Sequence, residues 1–386
     1  MQSKKIIYLD HAATTHVLPE VLEKMTPYFT EKYGNPSSLY SIGQEAKHAV
    51  DEARKQVAAA LNCEPKEVVF TGSGTESDNL AIFGIVEAYK DKGKHIITSA
   101  IEHHAVLYPF QKLEKMGYEV TYIDVDKDGI IDPAQVEKAI RDDTIFMSIM
   151  YANNEVGVIE PIEEIGKIAR SKGVIFHTDA CQAAGYLNIN VQDLNVDLLT
   201  INGGKIYGPK GVGALYMKNG LNIAPQTLGG GQEYELRAGT ENVAAIVGMG
   251  EALTLAVRYR DEEFKKQTEL RDYLIENILK IPDSKLNGHP TKRLPNNTNF
   301  CFYGIEGESI LLRLDQLGIC GSSGSACTSG SLEPSHVLQA LKIPKEEAHG
   351  SLRLTLGKKT TKEELDTVIN ELPTIIKDLR EISPLY

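Results

Sequence analysis

The residues of this chain that could do chemistry each follow a short apolar run. Lys205 stands between the apolar run 197–201 and the glycine-rich turn Asn202-Gly-Gly-Lys205-Ile-Tyr-Gly-Pro-Lys-Gly211. Partial desolvation there would lower the pKa of an amine, which a lysine needs in order to attack a carbonyl and form a Schiff base; the position by itself equally fits a solvated loop lysine. Asp179, in Thr178-Asp179-Ala-Cys-Gln182, ends another apolar run. An unpaired carboxylate is costly in such a place, so Asp179 needs a cationic partner, a hydrogen-bond donor or a proton, unless it simply caps the next helix. Thr71-Gly-Ser-Gly-Thr75 precedes a helix expected to open at Glu76. Its glycines let the backbone approach a ligand and the helix-end amides suit an anion such as phosphate; the simpler reading is a turn capped by Thr75. Neither G-x-G-x-x-G nor a Walker lysine is present in these turns, which disfavours dinucleotides and nucleoside triphosphates. In Ile101-Glu-His-His-Ala105, adjacent His103 and His104 diverge and make a poor metal pair, but one ring could lie over an aromatic ligand or move protons near neutral pH.

A phosphate cup, a carboxylate at a strand end, a stacking histidine and a Schiff-base lysine are together the parts that a pyridoxal phosphate site requires. The acid would keep the pyridine nitrogen protonated so that the ring can accept electrons. A further segment, Ile319-Cys320-Gly-Ser-Ser-Gly-Ser-Ala-Cys327-Thr-Ser-Gly330, is too rich in glycine and serine to pack a core. It predicts a mobile, exposed thiol at Cys327, whereas Cys320 beside an apolar run reads as a buried, inert cysteine. The five cysteines contain no C-x-x-C pair, which argues against a disulfide framework or a four-cysteine zinc site, and no metal is expected.

Apolar strands expected over 67–70, 95–98, 119–123, 145–150, 174–177, 197–201 and 213–217 alternate with helical patterns at 41–61, 76–90, 161–172 and 244–259. This is the signature of an α/β fold with a mainly parallel seven-stranded sheet between helices, where ligands bind beyond the carboxyl ends of the strands. After residue 260 the rhythm changes to a long helix over 261–281, the segment 297–303, a short helix over 309–317 and a final helix over 362–382. The expected division is a large ligand-binding domain at 15–258 and a smaller α+β domain built from 1–14 and 259–386, the latter carrying the cysteine loop at about 320–331. The 386 residues are ample for this, and 42% hydrophobic with 24% charged residues is ordinary soluble usage. Acidic residues outnumber basic ones by 53 to 41, and a net charge of −12 repels phosphate backbones and anionic lipid, so neither DNA nor membrane is an expected partner. The opening residues lack a signal-peptide core, and no run reaches the roughly 18 apolar residues of a spanning helix, which predicts a cytoplasmic protein.

The chain resembles the group I (NifS/IscS-type) cysteine desulfurases, members of the class V aminotransferase family with PLP fold type I. The likeness runs in order through Tyr8-Leu-Asp-His-Ala-Ala-Thr-Thr15, Gly34-Asn-Pro-Ser-Ser38, Gly74-Thr-Glu-Ser-Asp-Asn79, Glu102-His103, Asn153-Asn-Glu-Val-Gly157, His177-Thr-Asp-Ala-Cys-Gln182, Lys205 to Gly211, Arg237-Ala-Gly-Thr240, the Cys327 loop with Ser331-Leu-Glu-Pro-Ser335, and Leu352-Arg-Leu-Thr-Leu-Gly357. By that resemblance Lys205 would bind pyridoxal 5'-phosphate as a Schiff base and act on the substrate α-proton, and His103 would stack on the ring. Asp179 would pair with the pyridine nitrogen, Gln182 would bond the phenolic oxygen, and Gly74, Thr75 and Asn202 would serve the phosphate. Thr240 would reach the phosphate of a partner subunit, implying a homodimer. Asn154 and Arg353 would receive the carboxylate of L-cysteine, and Cys327 would take the sulfur as a persulfide for an acceptor protein, an iron–sulfur scaffold or a sulfur carrier. Many relatives carry Ser-Gly-His-Lys where this chain has Asn202-Gly203-Gly204-Lys205, which predicts looser cofactor binding, and housekeeping relatives continue past Tyr386 with a tail that docks the scaffold. The competing readings are an aminotransferase or lyase of the same fold, a weakly active sulfur-relay homologue and, less favoured, a selenocysteine lyase.

Overall fold

The computed structural model describes residues 5–324 and 334–384. Its centre is a seven-stranded sheet in the order Val68–Thr71, Gly213–Met217, Leu198–Asn202, Ile175–Asp179, Thr144–Ser148, His95–Ser99, Glu119–Ile123. Gly213–Met217 runs antiparallel to both of its neighbours and the other pairings are parallel. Successive side chains of a strand point to opposite faces, and here each face has its own core. Val69, Ile96, Phe146, Leu198 and Leu215 pack with Leu80, Ile85 and Phe110 of helices Gly74–Tyr89 and His104–Lys115. Their chain neighbours Phe70, Ile97, Met147, Leu199 and Tyr216 pack with Val57 of Ser41–Leu61, Ile165 of Ile162–Lys172 and Met249. Burial on both faces is why these strands are apolar along their length.

A second, antiparallel sheet joins Ser284–Leu286, Asn297–Phe302 and Ser351–Thr355. Its core includes Leu274, Ile310, Leu314, Leu372 and Ile376 and takes in Ile7 and Leu9 from the start of the chain, where Ile7–Tyr8 pairs in parallel with Ile319–Cys320.

The two helices expected at 244–259 and 261–281 are one continuous helix, Val243–Ile278, of 36 residues. Its buried apolar side chains from Ala245 to Ala256 belong to the first core and Leu274 and Ile278 to the second, while residues 257–266 between them carry no buried side chain. The apolar stripe lapses where the helix passes from one core to the other, and no glycine or proline breaks it there. The expected boundary near Arg258 falls inside this helix. Helix His104–Lys115 and strand Ser351–Thr355 were not anticipated from the pattern.

Candidate active site

The sheet delivers functional side chains at the carboxyl ends of its strands. Helix Gly74–Tyr89 opens at Gly74, earlier than the expected Glu76, because Ser73 caps it: Ser73 Oγ accepts from the Glu76 amide at 3.1 Å. Thr75 is therefore not consumed as the cap. A Cβ on residue 74 would lie 2.7 Å from Cys181 Sγ and 3.4 Å from Asn202 Cβ, so glycine lets the positive end of the helix seat itself directly against the strand ends.

Asp179 is the last residue of its strand, and its Oδ1 accepts from the Cys181 amide at 2.8 Å, which is the hydrogen-bonding partner that its position demanded. Asn202 ends the next strand; its Oδ1 accepts from the Gly204 amide at 3.0 Å and turns the chain so that Lys205 faces the same space. Lys205 Nζ donates to the carbonyls of Ala12, at 2.8 Å, and Ala13, and Gln182 Nε2 donates to Ala12 O at 2.9 Å. His103 lies at the N-cap of helix His104–Lys115, where Nδ1 accepts from the Ala105 amide at 3.1 Å. That leaves Nε2 to carry the proton of the neutral ring.

Arg353, on strand Ser351–Thr355 at one side of the second sheet, is 2% exposed. Its Nη1 donates to Asn154 O and its Nη2 to Asp10 Oδ1, each at 2.8 Å, while the buried Nε has no hydrogen-bond partner among the described residues. Beside His103, the Glu102 carboxyl accepts from Ser99 Oγ at 2.6 Å and the Met150 amide at 2.9 Å, and burial pushes its pKa up to about 8. Burial likewise raises the Cys181 thiol, which makes it a poor nucleophile.

Gly74, Thr75, His103, Asn154, Asp179, Gln182, Asn202, Lys205 and Arg353 line one cavity of about 210 Å³. Thr240 is exposed and does not line it. Cys327 lies outside the described residues. Sequence reasoning missed Asp78, Cys181 and the Ala12–Ala13 backbone, which line the same space. Asp78 had a signal: it falls one helical turn after Gly74, on the face that a glycine brings close to its neighbours.

The cavity suits a phosphorylated aromatic aldehyde. It offers helix-end amides and a hydroxyl at an anion cradle, an acid at a strand end, an imidazole, an amine, and a guanidinium with donors left over. The cradle has one gap, since Gly204 supplies no side chain and a Cβ there would already meet Lys210 Cγ at 3.3 Å.

A family model for class V aminotransferases matches residues 7–368. The cysteine desulfurase IscS of Clostridium botulinum is 55% identical over 385 residues, covering 99% of this chain and 97% of that one. A NifS-like protein of solved structure superposes with a TM-score of 0.92 at 36% identity, covering 97% of this chain and 100% of that one. SspA, solved in complex with cysteine, superposes with a TM-score of 0.81 at 37% identity over 91% of this chain and 98% of that one.

Proposed function

We propose, since this chain belongs to the class V aminotransferase family and is a pyridoxal 5'-phosphate-dependent cysteine desulfurase, that L-cysteine is held and desulfurated in the cavity between Asp179 and Arg353. The convergence of Lys205, Asp179, His103 and Arg353 on that cavity carries the reading. Gly74, Thr75 and Asn202 would hold the phosphate end of the cofactor, Asp179 the ring nitrogen, Gln182 the phenolic oxygen, His103 the ring face and Lys205 the aldehyde carbon. When bound, the cofactor supplies a protonated ring that takes up the electron pair left behind as the substrate α-proton departs.

The chain's own residues do the rest. Asn154 and the Arg353 guanidinium, which both line the cavity, fix the substrate carboxylate, which orients the α-carbon before reaction. The Lys205 amine accepts the α-proton and returns it. The Cys327 thiolate attacks the substrate sulfur; a sulfur–sulfur bond forms as the carbon–sulfur bond breaks, its electron pair passing to the substrate carbon, which a proton then completes to L-alanine. The sulfur leaves as a Cys327 persulfide for an acceptor protein, an iron–sulfur scaffold or a sulfur carrier.

Two copies act together in this reading, in the cytoplasm, with Thr240 of each reaching the other's phosphate. Exposed apolar side chains support the pairing: Leu39 is 94% and Leu228 82% exposed, with Phe29, Tyr33 and Tyr40 also facing outward. No helix among the described residues is long and apolar enough to cross a membrane. The large unit at 15–258 would carry the cofactor, and the smaller one, 1–14 with 259–386, the sulfur-accepting thiol.

Cys327→Ala tests the assignment against an aminotransferase, which has no use for that thiol. The variant is expected to keep the cofactor's visible spectrum and to lose sulfide release from L-cysteine; retained sulfide release would remove Cys327 from the reaction. Labelling the persulfide and identifying the co-purifying protein that receives it names the acceptor.

A further inference from the structure

Beneath the cavity lies a carboxyl that the reaction as written does not use. Asp78 is 1% exposed, sits on helix Gly74–Tyr89 and lines the same space as Asp179. Thr200, the register partner of Asp179 across the parallel strands, places its hydroxyl near Asp78. Behind Thr200 stands His177, with Nε2 at 3.0 Å from Thr200 Oγ1 and Nδ1 at 2.8 Å from Ser148 Oγ. Asp78 Oδ1 lies 3.6 Å from His177 Nε2 and has no hydrogen-bond partner among the described residues.

Two carboxyls in one buried site do not both ionise, and their partners decide which keeps the charge. Asp179 accepts a backbone N–H and faces the cavity that Lys205 also lines. Asp78 has a nearby hydroxyl, an Oδ1 without a hydrogen-bond partner among the described residues, and a histidine that burial holds neutral by pushing its pKa down to about 3. The other titratable groups bearing on the pair are Glu102 and Cys181, and neither brings a positive charge.

We infer that Asp78 is the protonated member of a carboxyl pair with Asp179, and that its proton keeps the single negative charge of the pair on Asp179, opposite the cofactor's ring nitrogen. Asp78 is thus a positioning residue: ionised, it would repel the Asp179 carboxylate and drive a proton onto it, removing the anion that the ring nitrogen needs. Burial, and after it the charge of Asp179, push the Asp78 carboxyl well above the ordinary carboxylate range, in agreement with this. The inference rests on the assignment of Asp179 proposed above.

The test is infrared difference spectroscopy of the holoenzyme, wild type minus Asp78→Asn, at neutral pH. The expected difference is loss of the C=O stretch of a protonated carboxylic acid above the amide I envelope; loss of an ionised-carboxylate band instead overturns the proposal. Asp78→Ser gives the same spectrum should the amide not fit. The pH titration of the cofactor's visible absorption is the second readout. Asn keeps Asp78 neutral, so its midpoint is expected to stay at the wild-type value, whereas Asp179→Asn removes the anion and shifts it by about two pH units. An Asp78→Asn shift as large as that of Asp179→Asn overturns the proposal, because Asp78 would then carry the charge. If Asp179→Asn leaves the titration in place while the acid band persists, the ring-nitrogen assignment of Asp179 falls and the Asp78 proton stands.

Discussion

Arg54 and Arg353 are both buried against a carboxylate, with side chains 8% and 2% exposed, yet they serve different ends. Arg54 closes a two-pronged pair with Glu233 at 2.6 and 2.8 Å and also donates to Val68 O at 2.6 Å, while Glu233 Oε2 accepts from the Phe70 amide at 2.7 Å. This pair holds a left-handed turn at Glu233, Tyr234 and Glu235, with φ of 46°, 59° and 66°, that residues bearing a Cβ adopt only when their surroundings enforce it. Arg353 meets Asp10 through Nη2 alone, lines a cavity, and has a buried Nε with no hydrogen-bond partner among the described residues. Residue type and burial are shared, and the difference is what the guanidinium faces. One forked onto a buried carboxylate is a fastener, and one that lines a cavity with donors left over is a binding group.

Breaking the closed pair should cost the most. Arg54→Ala leaves Glu233 buried without its cation and is expected to destabilise the fold by about 3–5 kcal/mol, read as a lower urea midpoint, with replacement of both partners by apolar residues recovering most of the loss. The open arginine should fail differently. Arg353→Lys is expected to cost roughly 2–5 kcal/mol in kcat/KM for L-cysteine while the urea midpoint falls much less than in Arg54→Ala. Equal drops in stability would erase the distinction between the two arginines.

The cofactor cradle extends the comparison to a donor that is missing altogether. Gly204 offers no side chain, so cofactor affinity is expected to be lower by ~1.5–3 kcal/mol than in relatives with a histidine there. Long dialysis without added pyridoxal phosphate should strip part of the cofactor, and full retention would contradict this. The last effect, small at any one pH step, concerns a buried carboxyl with no arginine. Burial raises Glu102 from 4.5 to about 8, so its contribution to stability is fully present below pH 4.5 and is lost as pH rises through about 8. Glu102→Gln should remove one proton from that pH dependence, flattening the denaturation-midpoint profile over this window by at most about 1.4 kcal/mol per pH unit.

Much of the fold was legible because strands covered on both faces read as apolar runs, and Gly213–Met217 stands where its run stood. Lys205, Asp179 and Asn202 were legible as site candidates because a polar residue closing an apolar run is conspicuous. Asp78 had only the weaker signal of its spacing from Gly74, because in a helix an aspartate reads as a solvent-facing residue until the packing of that helix is known. The choice of Ser73 over Thr75 as cap escaped for a related reason: neighbouring hydroxyls compete for one amide, and backbone geometry at the turn decides between them.

The sequence by itself determined the α/β order, the chemical identity of the groups available and, through ten ordered motifs, the resemblance to the cysteine desulfurases. Which donors are spent and which stay open was decided only in the tertiary structure. Arg54 and Arg353 are the same letter, as are Asp78 and Asp179. A side chain's remaining valence depends on partners as much as 343 residues away, as Asp10 is from Arg353, and only the folded chain brings such partners within bonding distance.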